Sequence, residues 1–410
     1  MDKTSFLPLS GFRDQLGPAK SWVINELQKT FQSYGYQALE TPAIERQEIL
    51  LGKLGDEGQK QLYLFEDNGK RQVGLRYDLT VPLSRFVAAN LSELPLPFKR
   101  FEIGSSWRAE RPQKGRYRQF TQADIDIIGA PEPSSELELM SVVAAAGERL
   151  GVKLTCLVND RRLITAVFDE LKIPAKERVK ITQLFDKKDK LPEDEFIAQF
   201  KQLGLSDVER RQLSAYFLAE GDEALEKIEQ LLPGSPAFIT VKAVLAWAKK
   251  RGVEAVFAPG MVRGLDYYTG TIFEFKADGY DGGTVVAGGR YDNLIANLTG
   301  QRVPAVGLSF GVDRLSDLLT DQKPDDTLFV VRLPETSNEV NMWVRELRKN
   351  GKNVEVYLDD TIELGKQIKY ADKRGYANIL IPFENEWQRG QIVRKFLATG
   401  KQEAISRDQI

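Results

Sequence analysis

Strand-like text in this chain stops and then starts again. It runs through 98–128, gives way between about 158 and 250 to charged helical runs such as AKERVKITQLFDKKDKLPEDEFIAQFKQLG, and returns at 253–316 with glycine clusters. A sheet that joins the two strand-rich stretches must be assembled from segments far apart in sequence, with the helices looped out between them. A doubly wound sheet alternates strand and helix throughout, and this pattern does not. The expectation is an antiparallel α+β architecture over 1–320, carrying an inserted helical subdomain at about 158–250. After DQKPDD the texture changes again: from Thr327 the apolar runs TLFVVRL, NVEVYLD and NILIPF alternate with helical stretches, which predicts a small separate α/β domain over 327–410.

Smaller features place the pieces. Val23, Leu27 and Phe31 recur at helical spacing, predicting a helix from Ala19 to Tyr34 that Gly35 ends. In LYLFEDNGKRQVGLRY, alternation on either side of Asn68-Gly69 predicts a hairpin. A helix is expected over 78–92, beginning at Asp78, which can cap it, and another over 133–150. Between them FKRFEIGSSWRAE, RPQKGRY and RQFTQADIDIIG read as strand, loop and strand, with Asp124 and Asp126 on one face of the second.

Composition excludes more than it proposes. With no histidine, Ser-His-Asp, Cys-His and histidine-ligated metal mechanisms are closed, leaving carboxylates, arginines, lysines and hydroxyls. The single cysteine, Cys156, allows neither an internal disulfide nor a multi-cysteine zinc site, and reads as a small buried apolar residue. A net charge of −2 leaves no global footprint for nucleic acid, although local basic stretches can still bind phosphate. The first residues, MDKTSFLPLSGFRDQLG, lack a basic leader with an apolar run, and no later apolar stretch is long enough for a bilayer, so a cytoplasmic protein is expected.

Four clusters carry candidate chemistry. Arg108, Glu110, Arg111, Arg116 and Arg118 crowd one strand-loop-strand segment; guanidinium forks there suit a polyphosphate, and a solvated basic hairpin is the alternative. In VRGLDYYTG, glycines frame Arg263, Tyr267 and Tyr268, giving either a ligand pocket or a turn with core aromatics. AGGRYD, which contains Tyr291, has neither the P-loop nor the dinucleotide pattern. GVDRL puts Arg314 near the start of a helix, where the dipole favours anions.

Taken in order, these segments resemble the histidyl-tRNA synthetase family of class II enzymes. FEIGSSWRAERPQKGRYRQFTQADIDIIG is similar to its second class II motif, VGLSFGVDRL to the third, and YGYQALETPAIE to the first, which contributes to a dimer interface. MVRGLDYYTGTIFEF and AGGRYDNL resemble its two histidine signatures, and KQIKYADKRGYANILIPF its anticodon-binding domain. The resemblance implies ATP, as MgATP with no protein ligand assigned to magnesium, together with L-histidine, tRNA(His) and a homodimer. It implies Arg108 and Arg263 on the α-phosphate as the catalytic pair, and Arg116 and Arg314 on the outer phosphates or over the adenine. Glu110 would read the adenine amino group and Phe120 would stack on the base. Asp78, Thr80 and Gln122 would hold the α-ammonium, while Asp126, Tyr268 and Tyr291, with Tyr267 and Arg263 among the histidine contacts, would surround the imidazole. Gln113 would meet the tRNA acceptor end.

The chain departs from common family forms at three places: Thr121 replaces a frequent histidine, Asp126 a glutamate, and LRYDLT stands for LRPEGT. The shorter Asp126 bears on the imidazole contact. A histidyl synthetase built without histidine could be translated during histidine starvation; an engineered sequence is the other reading. Two non-catalytic relatives compete with the enzyme, the regulatory subunit of ATP phosphoribosyltransferase and an RNA-sensing module of a larger regulator. The retained arginines and C-terminal domain favour the enzyme over the first, and the lack of a kinase signature or extra domain counts against the second.

Overall fold

The computed structural model describes residues 6–16, 18–52, 59–113, 115–186, 188, 191–262, 267–319 and 327–410. The chain divides into two compact units, Met1–Asp321 and Gln322–Ile410. In the first, β1 (Gln37–Ala38) is followed by a small three-stranded sheet of β2 (Ile44–Arg46), β3 (Tyr63–Glu66) and β4 (Gln72–Leu75). The long pair β5 (Phe98–Trp107) and β6 (Gln119–Ile128) comes next, then β7 (Leu154–Asp160), β8 (Glu254–Phe257), β9 (Thr271–Ala277), β10 (Val286–Arg290) and β11 (Ala305–Gly311).

The eight-stranded sheet has the order β1-β5-β6-β11-β10-β9-β7-β8. Its inner pairings are antiparallel, and only the edge pairs β1–β5 and β7–β8 are parallel. The antiparallel α+β expectation is met, and the sheet is sewn from both strand-rich stretches at the β6–β11 seam. The helical stretch is the crossover that the parallel β7–β8 pair requires, since parallel neighbours cannot be joined by a tight turn. Its first helix, Arg161–Glu170, its last, Ala237–Arg251, and the helix Asp207–Phe217 between them share one apolar core with the sheet through Phe168, Val241, Val244 and Phe217.

Period-two alternation sorts β6 into two faces. Ala123, Ile125 and Ile127 enter the main core, where Phe31 of the helix Ala19–Ser33 packs its ring 5.6 Å from Phe101 and 5.5 Å from Phe310. Gln122, Asp124 and Asp126 therefore point the other way. The hairpin at Asn68-Gly69 forms, but the left-handed residue is Lys70 (φ 62°), because the Asp67 carboxylate takes the backbone N–H of Gly69 and Arg71 and sets a longer loop. Cys156 is buried in β7, as its isolation predicts.

In the C-terminal unit, β12 (Leu328–Val330), β13 (Val354–Val356) and β14 (Asn378–Ile381) are the three expected strands, parallel in the order β13-β12-β14. The reading from sequence missed a final antiparallel hairpin, β15 (Gln391–Phe396) and β16 (Gln402–Ser406), which extends that sheet. Its strands, QIVRKF and QEAIS, are broken up by charged residues, so neither shows an apolar run like those in TLFVVRL and NILIPF. Among the described residues no helix is long and apolar enough to cross a membrane.

Candidate active site

The face of the large sheet opposite the core walls a cavity of about 350 Å³. Of the residues singled out from the sequence, Asp78, Thr80, Arg108, Glu110, Arg116, Phe120, Gln122, Asp126, Tyr267, Tyr268, Tyr291 and Arg314 all line it. Arg263 lies outside the described residues. Gln113 is exposed and does not line the cavity; it pairs through backbone hydrogen bonds with Arg116 across the loop that joins β5 to β6.

Phe120, Gln122, Asp124 and Asp126 stand at successive same-face positions of β6, so the cavity follows that strand for roughly 20 Å. At the Phe120 end the groups are cationic. Arg108 donates Nε–H to the Tyr77 carbonyl at 3.0 Å, and its guanidinium lies 5.1 Å from the centre of the Phe120 ring. Arg314 donates Nε–H to the Gly115 carbonyl at 3.1 Å and Nη1–H to that of Thr284, which aims the guanidinium without neutralising it. Burial, followed by the nearby Arg116 and Arg108, holds Arg314 below the usual arginine range, the signature of a cation short of a counter-charge. Arg116 is paired with Glu110 at 3.0 Å, so the two residues to which the resemblance gives separate parts of the nucleotide are bound to each other here. The five-residue cluster splits: Arg111 is exposed, and Arg118 donates to the carbonyls of Glu110 and Ser10, tying the N-terminal loop to the hairpin.

Toward Asp126 the cavity is acidic and hydroxylic. Asp78 lies just ahead of the helix Thr80–Asn90, where its Oδ1 accepts the Val81 N–H at 3.0 Å, and its Oδ2 faces the Tyr267 hydroxyl at 3.5 Å; burial raises its pKa. Tyr291 donates its hydroxyl to Asp126 Oδ1. Asp126 Oδ2 meets Arg100 Nη2 at 2.9 Å, and Arg100, fully buried, also donates to the Leu79 carbonyl and lies 3.6 Å from Glu102. Burial pulls the Arg100 pKa down, but Asp126, Asp124 and Glu102 outweigh it and the pKa ends above the usual value. Asp126 fits because its neighbour across the β6–β11 seam is Gly307, where any Cβ would collide with its carboxylate.

Sequence reading assigned no role to Arg100, Ser309 or Asp124, of which Ser309 and Asp124 line the cavity. The alternation that put Asp124 and Asp126 on one face already pointed at Asp124. Arg100 had a weaker signal, its same-face spacing from Glu102; its pairing with Asp126 depends on the β5–β6 register, which sets Arg100 opposite Asp126.

A family model described as "Histidyl-tRNA synthetase" matches residues 14–315, and one described as "Anticodon binding domain" matches residues 328–410. A histidine–tRNA ligase of Rhodopirellula baltica is 35% identical, over 97% of this chain and 95% of the relative. Among solved structures, the histidyl-tRNA synthetase of a Nostoc species is similar with a TM-score of 0.82 at 26% identity, covering 98% of this chain and 97% of that one. A Bacillus halodurans protein described as an ATP phosphoribosyltransferase regulatory subunit/histidyl-tRNA synthetase shares the fold, with a TM-score of 0.74 at 21% identity over 89% of this chain and 96% of its own.

Proposed function

The chain belongs to the histidyl-tRNA synthetase family, and on that premise we propose that it joins L-histidine to ATP as histidyl-adenylate and then passes the histidyl group to tRNA(His). In the first step a histidine carboxylate oxygen attacks the α-phosphorus as the bond to the β-phosphate oxygen breaks and pyrophosphate leaves. In the second a ribose hydroxyl of the tRNA attacks the acyl carbon and AMP leaves.

The observation that supports this reading best is the meeting, in one cavity, of a half-buried arginine, Arg314, without a described ion-pair partner and a tyrosine- and carboxylate-lined end. Arg314, Arg116 and Arg108 suit the phosphates of MgATP, and Phe120 beside Arg108 suits the adenine. Arg108 and, by family resemblance, Arg263 would spread the charge that builds on the α-phosphate, which is preorganised electrostatic stabilisation and needs no histidine as acid or base. Asp78, Thr80 and Gln122 suit the α-ammonium; Asp126, Tyr267, Tyr268 and Tyr291 suit the ring. Gln113, exposed at the mouth loop, suits the tRNA acceptor end. A homodimer and a cytoplasmic location complete the proposal.

The test is histidine-dependent exchange of labelled pyrophosphate into ATP by the purified chain. Exchange that requires histidine is the expected result. Histidine binding without exchange would overturn the reading in favour of a regulatory subunit, the alternative that the three cavity arginines argue against.

A further inference from the structure

The loop between β5 and β6 carries Arg116 and Tyr117 on the cavity wall, yet none of its described residues from 111 to 118 is buried. Apolar packing therefore does not fix this loop, and its position comes from polar ties to its neighbours. Those ties arrive from two directions. From one, Arg314 donates Nε–H to the Gly115 carbonyl at 3.1 Å. From the other, the N-terminal segment meets the loop: the Arg118 backbone N–H donates to the Gly11 carbonyl at 2.8 Å, and Arg118 Nη1–H to that of Ser10 at 3.1 Å. The fit there is close, since Gly11 has φ 84° and a Cβ on it would lie 2.8 Å from Arg118 Cγ.

Two residues further on, Arg13 reaches the loop and the helix Val312–Leu318 at once. Its Nη1–H donates to the Tyr117 hydroxyl at 2.7 Å, and its guanidinium carbon lies 3.8 Å from the centre of the Tyr117 ring. The same guanidinium is 3.3 Å from Asp317 and 3.6 Å from Asp313 on the helix. Asp313 accepts the Thr121 N–H at 2.6 Å and pairs with Lys20 at 3.0 Å, so the helix end of this bridge is anchored to β6 and to the helix Ala19–Ser33. The residue after Asp313 is Arg314. Arg13 itself does not line the cavity.

We infer that Arg13 is a positioning residue for ATP: it clamps the β5–β6 loop, through Tyr117, against the helix that bears Arg314, and so keeps Arg116 and Arg314 in register for one triphosphate. The inference rests on the ATP-binding reading above. With the Arg13 and Asp317 side chains 27% and 36% exposed, water screens the pair and it adds little to global stability. Its effect is local, because a loop without a buried residue has few other contacts to hold it.

The test compares Arg13→Met, which keeps an unbranched apolar stem but no charge or donor, with the unaltered protein. Trypsin cleavage after Arg116, without ligands, is expected to quicken about three- to tenfold while the melting temperature moves by no more than about two degrees. In pyrophosphate exchange the KM for ATP should rise about three- to tenfold and the KM for histidine change by less than about twofold. Asp317→Asn, an exposed change at the helix end of the same bridge, should move cleavage and the KM for ATP in the same direction, and it carries the test should the methionine variant fold poorly. Unchanged cleavage overturns the clamp, and equal rises in the two KM values overturn its assignment to ATP. Absence of exchange in the unaltered protein overturns the functional reading instead, while the cleavage rates still decide the clamp.

Discussion

Asp124, buried along the cavity wall with no ion pair among the described residues, has a thermodynamic consequence that needs no substrate to measure. Burial, with Asp126 nearby and despite Arg100 and Ser309, pushes Asp124 from an ordinary 3.8 up to about 8. Between those two values the folded chain keeps a proton that the unfolded chain has released. Folding stability therefore falls as pH rises through that window, by about 1.4 kcal/mol per pH unit, and levels off above about 8. At pH 7 the penalty has an upper bound of roughly 4 kcal/mol, reduced by any water that enters the cavity. Asp124→Asn keeps the shape, can keep a bond to Ser309 and never ionises, so it removes the penalty. The variant should match the parent near pH 4 and exceed it increasingly toward pH 8, by several degrees in melting temperature for a unit of this size. The assay is calorimetric melting of both proteins without ligand at four pH values, with the difference between them isolating this one group from Asp78 and Asp160, whose pKa values burial also raises. A difference that stays flat or shrinks with rising pH would show that burial does not hold a proton on Asp124 in the folded chain.

Three further outcomes follow from the same geometry. Arg314→Met removes a half-buried cation short of a counter-charge, so pyrophosphate exchange should drop by about a hundredfold or more while melting temperature holds or rises; a large loss of stability would mean that the charge is compensated after all. Arg100→Met strands the buried Asp126 carboxylate, and chemical denaturation should show a loss of about 3–5 kcal/mol; a neutral result would dismantle the buried network. Gln113→Ala should leave exchange intact and slow transfer to tRNA, measured in single turnover with preformed adenylate, and an unchanged transfer rate removes that residue from the acceptor contact.

The pattern of the residues decided what kinds of element form and which way they face. Period two along 119–128 is a local property, so it sent Ala123, Ile125 and Ile127 inward and Gln122, Asp124 and Asp126 to the other face before any partner was known. Helical spacing likewise placed Val23, Leu27 and Phe31 on one stripe, and the arginine-rich and tyrosine-rich segments carried their family resemblance openly. Pairing was not legible in this way, because it joins positions whose separation in the chain carries no periodic signal. Tyr291 reaches Asp126 across 165 residues and Arg314 reaches the Gly115 carbonyl across 199. Registers along β5, β6 and β11 decided that Arg100 would pair with Asp126 and that Asp124 would stand opposite Ser309 across one seam and Glu102 across the other. The amino-acid order thus supplied the carboxyls and guanidinium groups, and only their packing at low dielectric determined that Arg100 pairs with Asp126 and Arg76 with Glu102.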